Sequence, residues 1–212
     1  MNHKDLQIEI EAAGDSIRRG GLVIVPTETI YGLAACATNA SAVAHIYKIK
    51  ARAASNPLPL LVADLIAARE FALFNPVAET LAAAFWPGPL TLVLPLKEGT
   101  GLATGVTGGK DSIALRVPDH PVIQQLLQCV KAPMVLTSAN ISGKPSPTRV
   151  DMIDNKIKAA VEVILDGGPC SFGQESTILK IVGDHVTLLR QGALGAQEIE
   201  SELGMPLDIT HD

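Results

Sequence analysis

The chain of 212 residues predicts an α/β fold with a mixed sheet, and three observations carry that prediction. Short apolar runs, closed by a proline or a polar turn, recur along the chain and read as buried strands. Between them, apolar residues return at three- and four-residue spacing, which is the pattern of helices packed on a sheet. Towards the end, two strand-like runs meet across Gly183-Asp184 and add an antiparallel hairpin to the strand–helix alternation.

Residues 6–19 place Leu6, Ile8, Ile10, Ala13 and Ile17 among charges and predict a surface helix stopped by Gly20-Gly21. Residues 22–25 form an apolar run ending at Pro26, a buried strand followed by the polar turn Thr27-Glu28-Thr29. Val43, Ile46, Tyr47 and Lys50 recur at three and four, so a helix over 41–50 carries Lys50 at its end. Asn56-Pro57 breaks that helix before a strand at 58–62. Helical texture covers 65–73 and 77–85, up to the breaker Trp86-Pro87-Gly88-Pro89, and 90–94 is a strand. Residues 99–110, rich in Gly and Thr, predict a mobile loop. A strand over 112–117 presents Arg116, 121–130 is a helix, and a strand over 133–137 runs into Ser138-Ala139-Asn140. Strands at 163–165, 176–182 and 186–190 complete the series, and no linker or repeat divides it, so residues 1–212 are expected to form a single domain.

Apolar residues make up 47% and charged residues 18%, enough for a core and too apolar for disorder. Aromatics are 3%, so that core must rest on Leu, Ile, Val and Ala. A net charge of −5 excludes a protein that coats nucleic acid through a broad basic face, while leaving room for a local basic pocket. Cys36, Cys129 and Cys170 form no CxxC or Cys/His pattern, which argues against zinc and a disulfide framework and for a reduced, cytoplasmic setting. The N-terminus lacks an apolar signal core and no run of 18 apolar residues exists, so no membrane partner is expected.

Polar residues gather where strands end, the usual ligand position of α/β sheets. Lys50-Ala51-Arg52 and Ser138-Ala139-Asn140 together supply two cations, a hydroxyl and a carboxamide, the donors a triphosphate and a small polar substrate require. Taken alone, the first is a helix end with favourable dipole partners and the second a turn. Arg116 within an apolar strand is either a partnered core arginine or a guanidinium for a carboxylate, which lysine cannot copy. Hydroxyls and an amide crowd residues 137–148, beyond what a turn needs. Neither a GxxxxGK[ST] loop nor a GxGxxG motif is present, so a nucleotide would need another cradle. Glu175 reads as a metal-coordinating or orienting carboxylate, or as a solvated turn. His45 and His120 stand isolated and no cysteine adjoins a base, so no nucleophile emerges.

The segments Pro26-Thr27-Glu28-Thr29-Ile30-Tyr31-Gly32-Leu33, Lys50-Ala51-Arg52 with Asn56-Pro57-Leu58, Phe85-Trp86-Pro87-Gly88-Pro89-Leu90-Thr91, Ala114-Leu115-Arg116-Val117-Pro118-Asp119-His120-Pro121, Thr137-Ser138-Ala139-Asn140 and Glu175-Ser176-Thr177 occur in that order. In this series the chain resembles the YrdC-type threonylcarbamoyl-AMP synthase family over residues 8–195. The resemblance implies a twisted, mixed and largely antiparallel open sheet with flanking helices, related to the double-stranded-RNA-binding fold and lining a concave basic cavity. It implies a nucleotidyltransferase that makes threonylcarbamoyl-AMP and pyrophosphate from L-threonine, bicarbonate or CO2, and ATP with Mg²⁺, for the t6A modification of tRNA. The implied threonine ligands are Thr29, Arg116, Ser138 and Ser176. The implied ATP ligands are Lys50, Arg52, Asn56, Ser112, Asn140, Thr148 (or Ser146) and Arg190, with Lys50 and Arg52 as catalytic cations and no assigned metal ligand. The implied partners are the threonylcarbamoyl transferase proteins that complete t6A, with at most weak tRNA or double-stranded RNA contact.

Two features depart from the family pattern. Leu61 stands where longer relatives often carry a histidine, and the chain ends at Asp212, which implies the short form without the additional C-terminal domain. A lid would then come from residues 99–110 or the C-terminal tail. Three other readings compete with a synthase. A nucleotide- or RNA-binding paralogue without synthesis would be marked by a degraded KxR or SxN, and both are intact. The carbamoyl-transfer domain of hydrogenase maturation proteins comes with zinc-finger-like cysteines, absent here. A purely structural domain leaves the polar strand ends unexplained.

Overall fold

Leu22 and Ile24 pack into one apolar cluster, while Val23 and Val25, between and beside them, pack into another. Successive strand residues face opposite sides of a sheet, so the run 22–25 is apolar throughout because both of its faces are covered. The computed structural model describes residues 3–209. Its helices are α1 (His3–Arg18), α2 (Ala40–Lys50), α3 (Leu65–Ala68), α4 (Pro76–Phe85), α5 (Pro121–Val130), α6 (Asn155–Lys158) and α7 (Ala196–Leu203), with a 3-10 turn at Val150–Met152. Its strands are β1 (Val23–Val25), β2 (Gly32–Cys36), β3 (Leu60–Leu61), β4 (Leu90–Pro95), β5 (Ser112–Arg116), β6 (Met134–Ser138), β7 (Val163–Ile164), β8 (Thr177–Val182), β9 (His185–Arg190) and β10 (Asp208–Ile209).

Among the described residues the strands form one ten-stranded sheet in the order β10-β9-β8-β4-β5-β3-β6-β2-β1-β7. It is mixed: β1 with β2, β2 with β6, β3 with β6, β4 with β5 and β8 with β9 run antiparallel. The pairs β1 with β7, β3 with β5, β4 with β8 and β9 with β10 run parallel.

The two faces are covered unequally. On one, Leu90, Leu92 and Leu94 of β4, Ile113 and Leu115 of β5 and Leu179 and Ile181 of β8 pack with residues of α2, α4 and α7 such as Ile46, Leu81 and Ile199. On the other, Ile10 and Ile17 of α1 and Val122, Ile123 and Leu126 of α5 cover Val23, Val25, Ala34, Met134 and Leu136. That second cluster contains no residue of β4, β5 or β8. The uncovered part of this face bears Thr91, Val93, Ser112, Ala114, Arg116, Ile178 and Lys180, all of one strand parity, and they line a cavity.

Several expectations are modified. The helix expected over 65–73 stops at Ala68. Leu73 N donates to Pro95 O and Lys97 N to Phe71 O, so the end of β4 captures that backbone. The segment 99–110 is tied down rather than free: Leu58 N donates to Val106 O, Ala103 N donates to Ala37 O, and Val106 is buried. Tyr47 Oη lies 2.8 Å from both Gly105 O and Asn56 O, fastening the same segment to α2. Strand β2 was not expected. Its register sets Gly32 opposite Ser138, and a Cβ at Gly32 would sit 2.5 Å from the Leu136 side chain, so this close approach requires glycine. Helix α7 and β10 extend the fold beyond residue 195. Among the described residues no helix is long and apolar enough to cross a membrane.

The unequal cover makes a stability prediction. Leu92→Ala, on the covered face, should lower the unfolding free energy by about 2–5 kcal/mol, whereas Val93→Ala, facing the cavity, should cost under about 1 kcal/mol. Urea unfolding of both variants checks this, and equal losses would contradict the two-face assignment.

Candidate active site

Two cavities adjoin on this face and share Arg52, Ser138 and Glu175. The first, about 540 Å³, runs over the uncovered strands and includes Arg116, Ser112, Ser176 and Arg190 in its lining. The second, about 480 Å³, lies between the end of α2 and the turn after β6 and is lined by Lys50, Arg52, Asn56 and Asn140 among others.

How two residues two apart in sequence reach one cavity is settled at Ala51. It closes α2 in the left-handed conformation, φ 49 and ψ 41, which is costly for a residue with a Cβ. The chain turns there, Arg52 leaves the helix, and both cations line the second cavity. Lys50, 1% exposed, spends its ammonium on protein: it donates to Ser138 O, to Asn140 O (2.5 Å) and to Asn140 Oδ1 (2.9 Å). An ammonium has three protons, so all are committed. Asn140 Oδ1 also accepts from Ser138 Oγ (2.6 Å), and its Nδ2 donates to Lys144 O. Burial pushes Lys50 down to about 8, with the Arg52 cation adding to the shift and the Glu175 carboxylate opposing it. Arg52 donates Nε to Asn56 O (3.3 Å) and Nη2 to Pro57 O (3.0 Å). Its Nη1 has no partner among the described residues, so Arg52 is the cation that faces open space where the cavities meet.

Arg116, 5% exposed, is held from three sides. It donates Nε to Gly88 O (3.1 Å), Nη1 to Thr29 Oγ1 (2.9 Å) and Nη2 to Glu28 Oε1 (2.6 Å). Glu28 is equally buried and holds the guanidinium at the cavity wall, and removing the carboxylate would strand a buried cation at about 3–5 kcal/mol. Thr29 is fully buried and bonded to Thr27 Oγ1 (2.8 Å), so it stands behind Arg116 rather than on the cavity surface. Leu61 pairs with Arg116 across β3 and β5 and gives the cavity an apolar wall where a histidine was the family expectation.

On the far wall, Arg190 donates Nη1 to Glu175 Oε2, and Nε and Nη2 to Ser176 O. Nη2 also reaches Ser176 Oγ at 3.2 Å, and that hydroxyl is paired with Thr91 Oγ1 at 2.8 Å. Ser146 Oγ donates to Glu175 Oε1 (2.6 Å). Gly192 permits this packing, since a Cβ there would lie 2.3 Å from Glu175 O. Thr148 lines neither cavity and donates its hydroxyl to Met152 Sδ (3.3 Å), which separates it from Ser146.

The structure thus gathers Lys50, Arg52, Asn56, Ser112, Arg116, Ser138, Asn140, Ser176 and Arg190 on the two cavity walls, with Ser146 one bond behind through Glu175. Sequence reasoning missed Glu28 and Thr91 and left Glu175 open. Each had a signal: a carboxylate in the turn after β1, a lone hydroxyl within a strand of leucines, and a carboxylate two residues from the start of β8.

The depressed Lys50 value has a signed consequence. Folded protein releases this proton near pH 8, below the ordinary lysine value of 10.5, so stability at this site rises as pH climbs between those values. Wild type should therefore gain unfolding free energy over Lys50→Met from pH 7.5 to 9.5 in parallel urea titrations. A difference independent of pH would contradict the burial of a titrating ammonium.

The Sua5/YciO/YrdC family profile, described as "Telomere recombination", matches residues 15–192. The chain is 40% identical over 197 residues to the threonylcarbamoyl-AMP synthase of Bacillus subtilis, covering 92% of this chain and 57% of that protein. It is 37% identical over 199 residues to the putative threonylcarbamoyl-AMP synthase of Methanocaldococcus jannaschii, covering 94% and 93%. The crystal structure of Pyrococcus abyssi Sua5 complexed with L-threonine superposes with a TM-score of 0.90 at 42% identity, over 95% of this chain and 58% of that one. The chain therefore spans a little over half the length of the Bacillus and Pyrococcus relatives. With the profile covering most of its length and the shared sheet, the chain belongs to the Sua5/YciO/YrdC family.

Proposed function

We propose that the protein is a threonylcarbamoyl-AMP synthase, joining L-threonine, CO2 or bicarbonate and ATP with release of pyrophosphate. The observation that carries the reading is the junction of two cavities of different chemistry at Arg52, Ser138 and Glu175. One has an anchored guanidinium and hydroxyls suited to an amino acid carboxylate. The other has a carboxamide, a free arginine edge and small polar groups suited to a nucleotide and its phosphates.

In this reading Arg116 takes the threonine carboxylate, with Thr29 holding it from behind and Ser138 and Ser176 facing the rest of the amino acid. Arg52, Asn56 and Asn140 take the nucleotide from the second cavity, Ser112 and Arg190 reach it from the lining of the first, and Ser146 acts through Glu175. Thr148 is the weakest member of the set, being directed away from both cavities. The amine, as free base, adds to CO2 and loses a proton to give a carbamate. A carbamate oxygen then bonds to the α-phosphorus while the bond to the pyrophosphate oxygen breaks. Arg52 neutralises charge gathering on the phosphoryl oxygens, and the remaining contribution is alignment of the two substrates.

Among the described residues no three His, Cys, Asp or Glu side chains converge as a metal site, and Glu175 is the one carboxylate on the cavity linings. That donor set fits a Mg²⁺ carried by the phosphates, with Glu175 as its one protein carboxylate. When bound, such an ion supplies further neutralisation of the leaving pyrophosphate.

The product, a mixed anhydride, would pass to threonylcarbamoyl transferase proteins that finish t6A on tRNA, with at most weak direct RNA contact. A cytoplasmic setting goes with this reading, and it agrees with the free thiols of Cys36, Cys129 and Cys170.

With ATP, Mg²⁺ and bicarbonate, purified protein should release pyrophosphate only when L-threonine is added. Arg52→Ala should cut that rate by about 10²–10³-fold with little change in thermal midpoint. Absence of threonine-dependent pyrophosphate overturns the reading, and ATP binding without it would mark a nucleotide-binding paralogue instead.

A further inference from the structure

Thr91 lies on β4 between Leu90 and Leu92, is 1% exposed, and has a hydroxyl with one hydrogen-bond partner among the described residues, Ser176 Oγ at 2.8 Å. Valine would fill the same volume without the cost of burying a hydroxyl. Its presence is explained by hydrogen-bond polarity. A hydroxyl has one proton and two lone pairs. Ser176 Oγ receives Arg190 Nη2 at 3.2 Å. If Ser176 gave its proton to Thr91, the Thr91 proton would have no acceptor among the described residues, at a cost of about 1–3 kcal/mol for so buried a hydroxyl. If Thr91 donates instead, both Ser176 lone pairs are filled, by Thr91 and Arg190. The Ser176 proton is then left for the cavity that the residue lines.

We propose that Thr91 is a positioning residue that fixes Ser176 as a hydrogen-bond donor into the first cavity, so that this point of the site selects an oxygen acceptor on the amino acid. The inference rests on the reading that Ser176 faces L-threonine. Thr91 touches no substrate in this scheme and acts only through Ser176. Its effect falls on the amino acid side, because Asn56 and Asn140 line only the second cavity and Thr91 has no hydrogen bond to Arg52 among the described residues.

The test is isothermal titration of L-threonine and, separately, of ATP with Mg²⁺ into wild type, Thr91→Val, Thr91→Ser and Ser176→Ala. Thr91→Val should weaken L-threonine binding about tenfold, the worth of one hydrogen bond, while ATP binding stays within about twofold. Thr91→Ser should restore the threonine affinity. In turnover, the KM for threonine should rise in Thr91→Val with kcat nearly unchanged. Thr91→Ala also lacks the hydroxyl and serves the same comparison if the valine variant is poorly folded. Wild-type threonine affinity in Thr91→Val, equal loss of ATP and threonine, or failure of serine to rescue would each overturn the proposal while leaving the synthase reading intact. Unchanged threonine binding in Ser176→Ala would instead overturn the assignment of Ser176, and no threonine binding by wild type would overturn the synthase reading itself.

Discussion

The Lys50 ammonium, carried on the last turn of α2, bonds to the carbonyls of Ser138 and Asn140 and to the Asn140 carboxamide. Those acceptors lie at the end of β6, on the opposite side of the second cavity from the helix. One buried cation therefore fixes the separation of the two segments whose side chains line that cavity. The reverse contact, Ser142 N to Lys50 O at 3.1 Å, closes the same junction through the backbone. Burial of an ammonium is unfavourable unless every proton finds an acceptor, and this turn supplies all three. The division of labour between the paired cations follows: Lys50 organises the turn, while Arg52 retains an uncommitted guanidinium edge.

The second constraint is the incomplete cover of one sheet face. Helices α1 and α5 shield β1, β2 and β6, but the same face of β4, β5 and β8 stays open. Alternation along those strands lets leucines build the core on one side while Thr91, Ser112 and Arg116 reach the cavity on the other. Part of the polar site is thereby mounted on the sheet itself, and the rest on the turns that adjoin its strands. The buried pair Glu28–Arg116 and the chain Ser146–Glu175–Arg190–Ser176–Thr91 hold two walls, and each is anchored to strands, through Arg116 of β5 and through Thr91 of β4 and Arg190 of β9. Such support keeps a site within narrow tolerances.

Much of this is legible in the sequence. Proline-terminated apolar runs marked β1, β4 and β5, and three–four spacing marked α1, α2 and α5, because local pattern and tertiary burial agree there. Strand β2 is hidden, since Gly-Leu-Ala-Ala-Cys offers no β-branched residue and owes its conformation to pairing with β1 on one side and β6 on the other. The loop 99–110 looked mobile from composition, yet its order comes from Val106 and the Tyr47 hydroxyl, contacts that lie some sixty residues away in sequence for Tyr47–Gly105. At the site, residue types were legible but not their commitments. Lys50 and Arg52 are equivalent cations in sequence, and only long-range acceptors separate the pin from the free edge. Thr29 likewise is an implied threonine ligand in a polar turn, whereas its bond to Arg116 places it behind the wall.

The central claim is that Lys50 builds the site by holding the turn of residues 138–140. A crystal structure of Lys50→Met, which keeps the apolar stem and removes the ammonium, tests it directly. Loss of the pin should displace the Ser138–Asn140 backbone and swing the Asn140 carboxamide by more than about 0.5 Å, the tolerance of a preorganised site. A turn that superposes on wild type within that tolerance, with the Asn140 carboxamide unmoved, would contradict the claim and return Lys50 to the role of a cation held for the ligand.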